Sequence, residues 1–236
     1  MRTPFPRVIL VRHSQTEWSK SGQHTSTTDL PLTDFGIKQA INTGKYLVGN
    51  EDYQMVKPEH LSVIMVSPRT RCQQTLQLIL GDNKINAPVE IVPDLQEWDY
   101  GEYEGKTSHE ITRDRIHRGL TKPSEKWDIW RDGCEGGEDH VQVSARLDRL
   151  IERIKEFHRK AIENRACCDI LIVAHGHILR SFVARWVNRP INFDPQLILD
   201  AAGVGVLSYQ HSNIDEPAIM LPGAFVIPVE EESEDI

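Results

Sequence analysis

The chain has 236 residues, of which 39% are hydrophobic and 26% charged, proportions that fit a folded globular protein and exclude a disordered one. Its formal net charge is −8, and five of the acids fall within residues 230–236, which leaves the body too close to neutral for a general nucleic-acid surface. The longest aliphatic runs, residues 63–66 and 170–174, fall far short of the roughly 20 residues of a membrane span, and residues 1–13 show neither a signal nor a transit peptide. A cytosolic or also nuclear setting is expected, with no membrane and no nucleic acid as partner. Cys72, Cys134, Cys167 and Cys168 have no C-x-x-C spacing and read as reduced thiols. None is followed six residues on by Arg, which excludes thiol-phosphatase chemistry.

In chain order, residues 8–11 are an aliphatic, non-alternating run, as in a strand buried on both faces. Thr33 and Asp34 open a helix that runs to about residue 49. Residues 63–66 are a second strand and residues 69–80 a second helix, stopped by Gly81. Residues 89–92 are a third strand with the same two-faced pattern. Residues 99–135, rich in Gly, Trp and charge, read as an excursion over the active site. A long amphipathic helix follows, with Val141, Leu147, Leu150, Ile151, Ile154, Phe157 and Ala161 as its core stripe. A strand at 170–174, a helix at 178–187 and a late strand at 203–209 complete the pattern. Strands alternating with helices predict an α/β fold, a three-layer α/β/α sandwich with a mainly parallel central sheet. With no internal repeat and no linker, residues 1–229 are expected to be one domain and residues 230–236 an acidic tail.

Reactive side chains stand just beyond the carboxyl ends of these strands, where open parallel sheets bind ligands. Arg12 and His13 follow the first, Ser67, Pro68 and Arg69 the second, Glu97 the third, and His175, Gly176 and His177 the fourth. The set suits phosphoryl transfer. Arg12 and Arg69 supply always-charged bidentate donors for a phosphate. His13 can attack as a neutral imidazole near pH 7, and Glu97 can protonate a leaving oxygen. His175, protonated, is the expected further donor. A cation such as Arg69 at a helix N-terminus opposes the helix dipole, which itself hints at a bound anion.

Other readings of these residues are bland or weaker. His175 and His177 could form a metal pair, but no third ligand of suitable spacing is visible. Residues 101–107 imitate a P-loop one residue short, with two acids that would face phosphate, and are rejected as a nucleotide site. Trp127 and Trp130 are as compatible with packing as with pocket lining. His24, Lys20, His177 and Arg180 are candidate groups for the distal half of a substrate.

The run from Arg12 to Trp18 resembles the RHGxTxW signature of the histidine phosphatase (phosphoglycerate mutase-like) superfamily. Residues 29–33 with Gly36, then Ser67, Pro68, Arg69, Arg71 and Thr75, then residues 100–105, and Ala174 to His177 match the same family in order. Within it, the segments TEWSKSGQHT, QEWDYGEYEG, WDIWRDGCEGGE and AHGHILR are most similar to a branch of fungal bisphosphatases acting on sedoheptulose 1,7-bisphosphate. The resemblance implies a phosphohistidine on His13, a proton donor at Glu97, and dephosphorylation of a sugar bisphosphate without metal or cofactor. It places His24, Thr25, Tyr100 and Arg180 at the pocket mouth. Three departures stand out. Ser14 replaces the usual Gly and is expected to alter the turn beside the nucleophile. Ser19 replaces an Asn that contacts phosphate in mutases. Residues 187–200 are shorter than in the fungal bisphosphatases. Alternatives left open are a broad-specificity sugar phosphatase, a mutase-like enzyme, and a catalytically silent module that holds a phosphorylated ligand. Homo-oligomerisation is also open.

Overall fold

The aliphatic runs pair side by side, and their pairing decides where the reactive residues end up. In the computed structural model, which describes residues 5–193 and 196–221, six strands form one sheet. They are β1 (Arg7–Arg12), β2 (Leu61–Val66), β3 (Val89–Ile91), β4 (Asp169–Ala174), β5 (Val204–Tyr209) and β6 (Pro217–Ile219), in the spatial order β3-β2-β4-β1-β5-β6. The pairs β1–β4, β2–β4 and β2–β3 are parallel, while β5 runs antiparallel to both β1 and β6. The sheet is therefore mixed but mainly parallel, as expected. The acidic tail at 230–236 lies outside the described residues.

Period-two alternation splits the core into two clusters. Val8, Leu10, Val63, Met65, Ile170 and Ile172 point to one face, where α6 (His140–Asn164), α7 (Gly176–Trp186) and the 99–135 excursion cover them. Ile9, Val11, Ile64, Val66, Leu171 and Val173 point to the other, against α2 (Asp34–Leu47) and α3 (Thr70–Leu80). Three layers result. The β3 expectation fails in one respect: Val89 and Ile91 are 53% and 57% exposed, because this three-residue strand is a sheet edge. In α6, Val141 is 62% exposed in the first turn and Val143 takes the core position instead. Among the described residues, no helix is long and apolar enough to cross a membrane.

Helix boundaries follow their caps. The Thr33 side chain accepts from Gly36 N–H at the start of α2, and Gly81, at φ 51°, ends α3. Three helices were not legible as periodic patterns: α1 (Glu17–Ser21), α4 (Ser108–His117) and α5 (Ile129–Asp132). Both α1 and α4 carry capping boxes, Thr16 with Ser19 and Thr107 with Glu110, that satisfy N-terminal N–H groups which their few apolar residues cannot protect.

One close approach connects this scaffold to the nucleophile loop. A Cβ on Gly36 would lie 2.2 Å from the carbonyl oxygen of Gln15, two residues beyond His13. Because the obstacle is backbone, Gly36→Ala should lower stability by about 2 kcal/mol in urea denaturation. An unchanged midpoint would show that the loop yields freely.

A second test concerns His158, fully buried between α6 and β5. Its Nδ1 bonds Tyr209 Oη at 2.9 Å, and burial pushes its pKa down to about 4. The unfolded imidazole takes up a proton below about pH 6.5 that the folded one refuses, so stability should fall as pH drops from 6.5 towards 4. The loss between pH 7 and pH 5 should be smaller in His158→Leu; equal losses would contradict this.

Candidate active site

The carboxyl ends of β1, β2 and β4 lie side by side, with Arg12 opposite Ala174 and Val66 opposite Val173. His13, Ser67 and His175 are the next residues along those three strands, so they are brought together from positions far apart in sequence. His13 N–H donates to the Ala174 carbonyl at 2.8 Å, and the His13 and His175 rings meet edge to face with centroids 5.2 Å apart.

The tautomer of His13 is fixed by its backbone. Nδ1 is 2.8 Å from the Ser14 carbonyl oxygen, which can only accept, so Nδ1 carries the hydrogen and Nε2 keeps its lone pair. Burial, then the charges of Arg71 and Arg12, hold its pKa well below the usual imidazole value. At neutral pH this is a buried, neutral nitrogen nucleophile. Ser14 does not disturb the turn as expected: its φ is not positive, and its N–H is bound by Thr75 Oγ1 at 3.0 Å. Any L residue small enough for this buried place fits such a backbone.

His175 differs from the expectation that it is protonated. Arg71 Nε donates to its Nδ1 at 3.1 Å, so the hydrogen sits on Nε2 and is given to Ser67 Oγ at 2.7 Å. Burial first, then Arg71, His13, Arg69 and Arg12, hold its pKa well below the usual value. The ring is kept neutral by its burial, and the guanidinium charges of Arg71, Arg69 and Arg12 add to that effect.

Arg71 is the central group that the sequence did not single out for a role. It is fully buried, with Nη1 donating to the Thr28 carbonyl at 3.1 Å and Nη2 to that of Thr25 at 3.0 Å. A signal was present: a charged residue on α3 one step from Cys72 and four from Thr75, both on the buried face. Arg69, the N-cap residue of α3, is half-buried with its N–H 3.5 Å from Ser67 Oγ. The Nε atoms of Arg12 and Arg69 are buried without a partner among the described residues, as befits groups awaiting an anion.

Glu97 is no surface acid. It is 5% exposed, and its carboxylate caps the amino end of α7: Oε1 accepts from Trp98 N–H and Ile178 N–H at 2.9 Å each, Oε2 from His177 N–H at 3.0 Å. This replaces the cap that His175 does not supply, and explains why α7 starts at Gly176 instead of near residue 178. Oε2, with a single donor, keeps room for a proton. Arg146 of α6 fixes the approach to Glu97, donating to the Asp94 and Gln96 carbonyls at 2.6 and 2.8 Å while paired with Glu138.

Beyond His13 opens a cavity of about 340 Å³. Arg12, His13 and Glu97 line it, as do Ser19, His24, Thr25, Tyr100, His177 and Arg180. Lys20 is exposed and does not line it. Ser19 lines the wall, but its hydroxyl donates to the Thr16 carbonyl at 2.9 Å and accepts from Thr16 N–H at 2.8 Å, within the capping box of α1. Arg180 lies over the Trp130 ring at 4.8 Å, and Trp130 also packs edge to face on His177, so this buried Trp both fills the core and shapes the site. Leu199 lines the cavity and accepts a hydrogen bond from Arg12 Nη1 on its carbonyl at 2.8 Å. Among the described residues, no group of three or more His, Cys, Asp or Glu is placed to hold a metal ion.

A mixed α/β sheet with two imidazoles, several guanidinium groups and a buried carboxylate at its carboxyl edge defines a class. The chain belongs to the histidine phosphatase superfamily, branch 1, whose family model matches residues 8–217. It is 43% identical to the sedoheptulose 1,7-bisphosphatase of Saccharomyces cerevisiae, over 97% of both chains. It is 32% identical to an acid phosphatase of Mycobacterium tuberculosis, over 87% of both. The solved structure of an α-ribazole phosphatase from Shigella flexneri superposes with a TM-score of 0.71 at 25% identity, covering 95% of this chain and 100% of the other.

Replacing Arg71 by Met should leave the Thr25 and Thr28 carbonyls and His175 Nδ1 without their donor, lowering stability by about 3 kcal/mol. With the cation gone, the His13 and His175 resonances should titrate at higher pH in NMR. Unchanged titration would show that burial alone holds them neutral.

Proposed function

We propose that this protein hydrolyses one phosphate ester of a sugar bisphosphate, sedoheptulose 1,7-bisphosphate in the first instance, through a phosphohistidine on His13 and without a metal. The single observation that carries the mechanism is the fixed tautomer of His13, a buried neutral imidazole whose Nε2 lone pair is unengaged among the described residues. Support for the substrate comes from the yeast relative named for it and from a cavity with room for a small sugar beyond the nucleophile.

In the first half-reaction, His13 Nε2 forms a bond to phosphorus as the bond from phosphorus to the sugar oxygen breaks. Glu97 Oε2 gives its proton to that oxygen, and the sugar leaves as an alcohol. Positive charge that develops on the imidazole is stabilised through Nδ1–H by the Ser14 carbonyl. Arg12 and Arg69 supply hydrogen bonds to the phosphoryl oxygens, Arg71 adds charge from below, and His175, with its one N–H given to Ser67 Oγ, fixes that hydroxyl and packs edge to face on the nucleophile. In the second half-reaction, water attacks phosphorus, its proton passes to Glu97, and orthophosphate and free His13 are released. His24, Thr25, Tyr100, His177 and Arg180 hold the remainder of the substrate.

The test is phosphate release from sedoheptulose 1,7-bisphosphate in the presence of EDTA. Wild type should turn over and His13→Ala should not, and quenched wild type should carry an acid-labile, base-stable phosphate. Glu97→Gln should slow the sugar bisphosphate by about 10²–10⁴-fold, and a nitrophenyl ester, whose leaving group needs no proton, far less. Equal release by wild type and His13→Ala would remove the proposal.

A further inference from the structure

His24 and His177 reach the cavity from two different elements. His24 comes from the loop after α1, whose backbone is bound to the excursion through its N–H to the Lys106 carbonyl at 3.0 Å. His177 comes from the first turn of α7. Their rings stack almost parallel, 11° apart in plane, with centroids at 5.7 Å. Together they form a shared wall between the cavity beyond His13 and a second depression of about 460 Å³, on whose side Lys126, Asp128 and Arg131 stand.

Each ring has one nitrogen engaged and one unengaged. His24 Nδ1 donates to the Lys106 carbonyl at 2.8 Å, and His177 Nδ1 shares a hydrogen with Tyr100 Oη at 2.7 Å. Neither Nε2 has a partner among the described residues, although both rings line the cavity. Two adjacent imidazoles held by their Nδ1 atoms, with Nε2 left over, form a site for a ligand that accepts hydrogen bonds and brings negative charge.

We propose that His24 and His177 clamp the second phosphate of a bisphosphate, and that His24 takes up a proton when that phosphate binds, so that a bisphosphate is preferred over a monophosphate increasingly as pH falls. This rests on the reading of the site as a sugar bisphosphatase.

The surrounding charges decide which ring takes the proton. Burial lowers the pKa of His24, while Glu97, Glu104 and its bond to the Lys106 carbonyl oppose that lowering. His177 is lowered well below the usual value by burial and by His24, Arg180 and Arg12, although Glu97 Oε2 accepts its backbone N–H at 3.0 Å. Tyr100, pushed up by burial, stays a phenol. On the far side, the Arg131 guanidinium is paired with Asp132 and bonded to the Lys126 carbonyl, which leaves the Lys126 ammonium and the Asp128 carboxylate as the other charges facing the pair. Without ligand both rings are neutral at pH 7. A phosphate dianion against them opposes the lowering, since opposite charges in contact at a half-buried site attract strongly and favour the protonated ring. Stacked imidazolium rings would repel, so one proton is taken up, and His24 with its acidic neighbours receives it.

The experiment uses His13→Ala to prevent turnover and measures binding calorimetrically at pH 7.5 in buffers of different ionisation enthalpy. Sedoheptulose 1,7-bisphosphate should bind with roughly one more proton taken up than sedoheptulose 7-phosphate. Adding His24→Asn removes Nε2 but keeps a donor for the Lys106 carbonyl. That variant should lose the extra proton, and at pH 6 should lose roughly tenfold in affinity for the bisphosphate with little change for the monophosphate. Equal uptake for the two ligands, equal affinity for both, or extra uptake that survives both His24→Asn and His177→Asn would overturn the clamp. If instead wild type releases no phosphate from the bisphosphate, it is the proposed function that fails.

Discussion

The buried guanidinium of Arg71 is the constraint on which the site depends. It lies on the core face of α3, paired with no carboxylate among the described residues, and is held by the loop carbonyls of Thr25, Ser26 and Thr28 and by His175. A fixed positive charge in that place adds to burial in holding both neighbouring imidazoles well below their usual pKa. It also dictates the His175 tautomer, because a guanidinium donates and never accepts. Ser67 receives the remaining hydrogen, so three residues from β2, α3 and β4 form one chain of hydrogen bonds whose direction is set at Arg71.

A second constraint ties the acid to the same edge of the sheet. Glu97 follows the edge strand β3, which is short and only lightly covered, and would wander without an anchor. The N–H groups at the start of α7 provide it, and Arg146 with Glu138 braces the segment from behind. The acid and the second imidazole are thereby positioned by one helix end: His175 is the N-cap residue of α7, and Glu97 binds the two residues after Gly176.

Much of this was legible in the chain because strands buried on both faces advertise themselves. The four aliphatic runs locate the sheet, and in a parallel sheet their carboxyl ends locate the chemistry, which is why Arg12, His13, Glu97 and His175 could be named from sequence. What was not legible lacks a local signal. Arg71 was quoted in the family pattern, but a charged residue on a helix reads as solvent-facing until its neighbours are known. The protonation state of His175 depends on a donor more than a hundred residues away. The exposure of Val89 and Ile91 follows from a place at the edge of the sheet, which composition does not specify. Helices α1 and α4 are too polar for periodicity to find, though their capping boxes were present to be read.

The bond from Arg12 to the Leu199 carbonyl links two properties often thought of as separable. Leu199 belongs to the stretch that borders the outer part of the cavity, where discrimination among substrates is expected to reside. Yet its main chain also orients the arginine beside the nucleophile. Divergence in that stretch towards a new sugar therefore carries a kinetic penalty unless the carbonyl stays in place, and selection would tolerate side-chain exchange there more readily than insertion or deletion.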